Sequence, residues 1–181
     1  VRVTSGEHKG RKLSAGRKMK IRPTSDRVKE SIFDTLRGEI EGKRVLDLFA
    51  GAGSLGIEAL SAGASFVTFV DTSSASINVL KKNLDDLKLS DKSSILHLDG
   101  LKALNKPDSP YQIIFADPPY LKGFAQKVID QVAVSGVLVT GGILVLEHHK
   151  KENVTFPEDK LTLLKERKFG DTVISIFYKK Q

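Results

Sequence analysis

The sequence predicts an α/β protein with a mostly parallel, seven-stranded sheet, helices on both faces and an antiparallel closing pair of strands. Three observations predict it. Short apolar, β-compatible runs alternate with helix-patterned segments from Lys43 onward. The first run leads into a glycine turn and a helix start, as a parallel strand feeding a crossover does. The last two runs are joined at Gly170-Asp171, a link that permits only antiparallel pairing.

In chain order, Val1 to Thr4 reads as a short strand, and Gly6, Gly10 and Gly16 provide turns for a small hairpin. Pro23 disfavours helix before it, and Thr24 or Ser25 caps a helix whose apolar face carries Val28, Ile32, Phe33, Leu36 and Ile40. Lys43–Leu48 is the first core strand. Ser54 is placed as the N-cap of a helix running to Ala62 and ended by Gly63. Phe66–Val70 is the second strand, and Ser73 or Ser74 caps a helix bearing Ile77, Leu80, Leu84 and Leu87. Ser93–Leu98 and Tyr111–Ala116 are further strands, followed by a helix at Phe124–Val134 and a fifth strand at Gly142–Glu147. Residues 149–160 read as a loop before the closing strands Leu161–Lys168 and Val173–Tyr178.

The totals bound the function. With 40% hydrophobic and 28% charged residues, the 181-residue chain has a globular composition and enough length for a sizeable core. It has no cysteine, which excludes disulfides and thiolate metal sites within it. No apolar run is long enough to span a membrane and no signal peptide is visible, so the expected compartment is the cytoplasm. The net charge of +7 is concentrated at one end. Residues 1–27 hold nine Lys and Arg against Glu7 and Asp26, which is +7, and the remainder balances. A basic segment on a neutral body suits a polyanionic partner, most often nucleic acid. The expected division is a basic N-terminal, nucleic-acid-binding extension at 1–24 and a larger domain at 25–181.

Four successive strands end in an acid: Asp47, Asp71, Asp99 and Asp117. Ligands of such sheets bind beyond the carboxyl ends of the strands, so the recurrence points to one site. Gly51-Ala52-Gly53-Ser54-Leu55-Gly56 matches the spacing of a dinucleotide-binding turn, where glycine admits close backbone approach and the helix start offers free N–H groups. Asp71 stands near the spacing expected of a ribose-binding acid. Asp117-Pro118-Pro119-Tyr120 is the most specific string. Two prolines stiffen it and leave carbonyls free to accept. The acid, fixed carbonyl and ring suit a planar base bearing an exocyclic amine, held by positioning and electrostatics.

Asp47 to Gly53, followed by Asp117 to Tyr120, resembles an S-adenosylmethionine-dependent amino-methyltransferase of the Rossmann-like class I fold. Val3-Thr4-Ser5-Gly6, Lys9-Gly10-Arg11, Arg22 to Val28, Leu55 to Leu60 and Phe169 to Thr172 resemble the bacterial RsmD family, which methylates N2 of one guanine in 16S ribosomal RNA. The resemblance implies S-adenosylmethionine as cofactor with S-adenosylhomocysteine as product, and no metal. It assigns Asp117, Pro118, Pro119 and Tyr120 to the target base. Asp47, Phe49, Ala50, Gly51, Gly53, Asp71, Thr72, Asp99 and Gly100 are assigned to the cofactor. Arg2, Lys9, Arg11, Arg22, Thr24 and Arg27 are assigned to RNA. The implied partner is 16S rRNA within a 30S subunit or an assembly intermediate, and the implied state is a monomer. Family members often carry Glu where this chain has Asp71, and either acid accepts two ribose hydroxyls. Three other readings compete. A DNA adenine methyltransferase would be expected to carry a larger recognition insertion. A nicotinamide-dependent dehydrogenase leaves Asp-Pro-Pro-Tyr unexplained, and a non-catalytic RNA-binding module leaves the intact glycine turn unexplained. The four histidines are given no role: His148 and His149 point to different sides in extended chain.

Overall fold

The computed structural model describes residues 1–15, 26–105 and 110–181. Helix α1 (Asp26–Thr35) precedes β1 (Arg44–Leu48), α2 (Ser54–Ser61), β2 (Phe66–Asp71), α3 (Ser74–Asp86) and β3 (Ser93–His97). A one-turn α4 (Gly100–Ala103), β4 (Tyr111–Ala116), α5 (Phe124–Val134) and β5 (Leu138–His149) follow, with β6 (Leu161–Phe169) and β7 (Thr172–Lys179) last.

The strands form one sheet in the order β3-β2-β1-β4-β5-β7-β6. The first five are parallel, and β7 lies antiparallel between β5 and β6. The order reverses between β1 and β4, where the crossovers on either side diverge and open a crevice beyond the strand ends.

Strand alternation sorts the core into two layers. Val45, Val67, Phe69, Ile113 and Phe115 pack on one face with α1, α2 and α3. Leu46, Leu48, Ile114, Ala116 and Leu144 pack on the other with α5. Both faces of the central strands are covered, which explains why their sequences are continuously apolar rather than alternating.

The first fifteen residues lie on the α2 side. Val3 and Leu13 are buried in that layer, and Arg2 and Lys12 pair in one isolated antiparallel bridge, without the strand expected at Val1–Thr4. A buried ion pair holds the segment down. Lys29 Nζ lies 3.2 Å from Glu58 Oε2, with both side chains fully inaccessible. Glu58 also accepts hydrogen bonds from the backbone N–H and hydroxyl of Thr4 and of Ser5, and Lys29 Nζ donates to the carbonyl of Arg2. The expected boundary at residue 24 and the caps Thr24 and Ser25 fall outside the described residues.

Some boundaries differ from the sequence reading. Helix α1 ends at Thr35, and Leu36 and Ile40 are buried from the turn that follows, where Gly38 has φ +83°. The N-cap of α2 is Gly53, not Ser54. Gly53 has φ +84°, and a Cβ there would lie 2.3 Å from Leu80 Cδ1, so the turn demands glycine twice over. Strand β5 begins at Leu138, four residues before the expected start. It includes Gly141 at φ +79° and a register shift against β4, irregularities that look like a loop in sequence.

Candidate active site

The four strand-end acids converge. Asp47, Asp71, Asp99 and Asp117 line one cleft of about 540 Å³ at the carboxyl ends of β1 to β4. Phe49, Ala50, Gly51, Thr72, Gly100, Pro118, Pro119 and Tyr120 line it as well. Gly53 does not; it stands behind the turn as the cap of α2. Arg2, Lys9, Arg11 and Arg27 are exposed outside the cleft. Arg22 and Thr24 lie outside the described residues.

Each acid is fixed by local backbone. Asp47 sits between Leu46 and Leu48 on β1 and so faces the α2 side, where Oδ2 accepts from Gly56 N at 2.8 Å. The side chain is buried, and burial pushes its carboxyl up to about 7 against the Gly56 hydrogen bond, with repulsion from Asp71 adding to the rise. A Cβ on Gly56 would stand 2.9 Å from Asp47 Oδ2 and 2.2 Å from Phe69 Cε1, so glycine is needed for this approach of helix to strand. Asp71 accepts from Gly51 N through Oδ2 and from Ser73 N through Oδ1, both at 2.8 Å. Its oxygens keep lone pairs for a ligand's hydroxyls. Asp99 caps α4, with Oδ1 accepting from Leu101 N and Lys102 N.

Phe49 has φ +60°, an uncommon conformation for a side-chain residue. It lays its ring over Gly100, where a Cβ would come within 2.9 Å of the ring, and meets Phe124 edge-on at 5.9 Å. The two rings give the cleft an apolar wall.

Tyr120 is tied from behind. Its O–H donates to Glu147 Oε1 at 2.6 Å on β5 and lies 3.2 Å from Thr172 Oγ1 on β7, and its ring meets the imidazole of His149 edge-on at 5.6 Å. Burial, reinforced by Glu147, pushes the phenol's pKa well above its ordinary value, so Tyr120 stays protonated. His148 turns the other way, with Nε2 3.0 Å from Ser175 Oγ, as two adjacent residues of a strand must.

Sequence reasoning missed several of these groups. Glu147, Phe124 and the first-segment residues Val1, Leu13, Ser14 and Ala15 also line the cleft. Ser54 lines it too, and its Oγ is buried with no hydrogen-bond partner among the described residues. A hydroxyl left in that state at a helix N-terminus awaits an acceptor. Only the identity of Ser54 as a helix-start residue signalled it in sequence.

The cleft therefore offers the Ser54 hydroxyl and the N-terminus of α2 to an anionic group, and the carboxylates of Asp47, Asp71 and Asp99 to hydroxyls, amines or a cation. The described residues contain no group of His, Cys, Asp and Glu placed to hold a metal ion. No helix among them is long and apolar enough to cross a membrane.

Comparison with known proteins agrees with this architecture. The family model described as conserved hypothetical protein 95 matches residues 1–178. Ribosomal RNA small subunit methyltransferase D of Haemophilus influenzae is 37% identical over 173 residues, which cover 94% of this chain and 89% of that protein. The Escherichia coli protein of the same name is 29% identical over 177 residues, covering 98% and 89%. The solved structure of Escherichia coli yhhF, described as a candidate methyltransferase, superposes with a TM-score of 0.90 at 28% identity, covering 100% of this chain and 98% of its own. A candidate methylase structure from Haemophilus influenzae gives 0.86 at 34% identity, covering 100% and 99%. The sheet order, the glycine turn and the cleft at the β1/β4 switch point define a Rossmann-like class I methyltransferase fold. Within that class, the chain belongs to the RsmD family.

Proposed function

We propose that this protein transfers a methyl group from S-adenosylmethionine to the exocyclic N2 amine of a guanine in 16S ribosomal RNA. The observation that carries the reading is the convergence of Asp117-Pro118-Pro119-Tyr120 with Asp47, Asp71 and Asp99 on one cleft. A base holder and a cofactor holder share one cavity, in a chain whose relatives are named for methylation of small-subunit RNA.

Bound S-adenosylmethionine supplies an electrophilic methyl on a positively charged sulfur. The chain's part is to present a nitrogen to it. The Asp117 carboxylate and the Pro118 carbonyl accept the two N–H bonds of the amine, which holds the nitrogen and favours the pyramidal geometry of attack. The Tyr120 ring supports the base, and its buttress of Glu147, Thr172 and His149 keeps that ring from turning away. Asp117 then accepts the proton that the new bond renders acidic, or passes it to solvent at the mouth of the cleft. The target base must arrive unstacked, because a stacked base cannot enter such a cavity. The exposed cations Arg2, Lys9, Arg11 and Arg27 contact phosphates and supply affinity and register, as part of the extension at residues 1–24 and the helix that follows it.

The test is Asp117→Ala. Methyl transfer to unmodified 30S subunits falls by at least about 100-fold, while S-adenosylhomocysteine binding is nearly unchanged. A variant with normal turnover removes Asp117 from the mechanism.

A further inference from the structure

The cleft opens between two faces of the sheet, and each face brings its own cations. Val3 and Leu13 of the N-terminal segment pack in the layer with α2 and α3, whereas Ala125 and Val128 of α5 pack in the other. Leu13 and Ser14 line the cleft from the first side and Phe124, the first residue of α5, from the second. Arg2, Lys9 and Arg11 belong to the first side, where Arg11 Nη2 donates to the Asp86 carbonyl at the end of α3.

Three exposed lysines stand on the second side. Lys122 follows Tyr120 by two residues, so their Cα atoms lie within about 7.6 Å of each other. Leu121 before it and Gly123 after it are both left-handed, at φ +57° and +72°, and the chain turns there between Tyr120 and α5. Lys127 is three residues into α5, and its Nζ stands over the Phe124 ring, 5.7 Å from the centroid. Lys151 donates its backbone N–H to Nδ1 of His149 at 3.1 Å, and that imidazole meets the Tyr120 ring. Each lysine is thus tied by a short turn or one contact to a residue of the proposed base-holding wall.

The acids nearby are engaged elsewhere. Asp171 pairs with Lys150 at 2.9 Å. Glu152 accepts from His149 N, and Asp130 accepts from Gln126 Nε2. Among the described residues, Lys122, Lys127 and Lys151 make no ion pair. Their charge is available to a ligand at the cleft mouth. A base drawn from its stack brings the phosphates on both sides of it to the rim of the pocket. Cations on one side alone would hold one flank of that strand and leave the other loose.

We propose that Lys122, Lys127 and Lys151 hold RNA phosphates on the α5 side of the cleft, opposite Arg2, Lys9 and Arg11, so that the strand is fixed on both flanks of the nucleotide to be methylated. The proposal rests on the functional reading above, which makes RNA the polyanion. These contacts supply affinity and register rather than base identity.

The experiment measures binding of labelled, unmodified 16S RNA by filter retention, with S-adenosylhomocysteine present, across a series of salt concentrations. Each phosphate contact on a single strand contributes about 0.7 to the slope of log affinity against log salt. Lys122→Ala, Lys127→Ala and Lys151→Ala combined therefore make the slope shallower by about 2, and at about 0.1 M salt each alone weakens binding about fivefold. Arginine at the same three positions keeps the wild-type slope, because the charge is kept. Lys92→Ala removes an exposed charge just before β3, at the amino edge of the sheet, and leaves slope and affinity unchanged. S-adenosylhomocysteine binding without RNA and the melting temperature hold at wild-type values in every variant, which separates the contact from folding. A wild-type slope in the triple variant overturns the proposal. So does a loss in Lys92→Ala equal to that at each cleft lysine, which would mark a general effect of net charge. Methyl transfer to the same RNA is followed in parallel. Transfer by the wild type, with an unchanged slope in the triple variant, removes the lysine contact alone. RNA binding with the expected slopes but no transfer removes the functional reading and leaves the contact standing.

Discussion

Replacing Glu58 by Gln tests how the N-terminal segment is held. The substitution keeps shape and removes charge. Lys29 then keeps a fully buried ammonium whose remaining acid is Asp26, 3.8 Å away and half exposed, with the Arg2 carbonyl as its other acceptor. On the other side, the backbone N–H groups and hydroxyls of Thr4 and Ser5 lose a carboxylate that accepts from all four. Breaking a buried pair by removing one partner costs about 3–5 kcal/mol, a large share of the roughly 5–15 kcal/mol that holds a domain folded. At about 2–4 °C per kcal/mol for a chain of this size, the melting temperature falls by at least roughly 6 °C. Urea unfolding followed by circular dichroism reads the free energy directly. The double substitution Lys29→Met with Glu58→Gln recovers part of the loss, because it removes the stranded ammonium while the amide oxygen still accepts from Thr4 and Ser5. A loss below about 1 kcal/mol in Glu58→Gln, the range of an exposed pair, refutes the claim that this pair anchors the segment.

Three further predictions concern the site. Asp47 is raised to about 7 by burial, so the folded chain retains a proton there that the unfolded chain has lost above about pH 4. Stability from this group is full below that value and is lost as pH rises through 7. The stability difference between wild type and Asp47→Asn, measured by denaturant at pH 5, 6, 7 and 8, narrows or reverses along that series; a constant difference contradicts it. Glu147→Gln weakens the charge-assisted hydrogen bond that steadies Tyr120, worth about 1.5–3 kcal/mol. It lowers kcat roughly tenfold or more without changing the dissociation constant of S-adenosylhomocysteine, and an equal rise in that constant would place Glu147 in cofactor binding instead. Leu121 is 60% exposed at φ +57°, so Leu121→Gly relieves strain and raises stability by up to about 1 kcal/mol. A lowered melting temperature would show that the leucine makes contacts worth more than the strain.

The strands were legible as short apolar or β-branched runs between turn signals, most clearly at the centre of the sheet, where parallel strands buried on both faces carry few polar residues. The recurrence of aspartate after four runs was legible for a related reason. A carboxylate at a strand end is uninformative once, and four of them in a parallel sheet must gather on one edge. What sequence could not supply were pairings set by the third dimension. Glu58 reads as one more polar residue in α2, yet it is fully buried beneath Thr4 and Ser5 more than fifty residues away. Asn83 reads as the polar side of α3 and instead joins two segments at separations of 69 and 31 residues. Glu147 closes the expected strand Gly142–Glu147 as the aspartates close theirs, but the acid is given no role in sequence and the strand itself continues to His149. The one-turn α4 was missed because four residues give no periodicity to read.

The measurement that tests the central claim most directly is transfer of labelled methyl from S-adenosylmethionine to unmodified 30S subunits, naked 16S RNA and duplex DNA, followed by nucleoside analysis. The proposed function predicts label in N2-methylguanosine of 16S RNA. Label in N6-methyladenine of DNA, or none in any substrate while S-adenosylhomocysteine still binds, would contradict it.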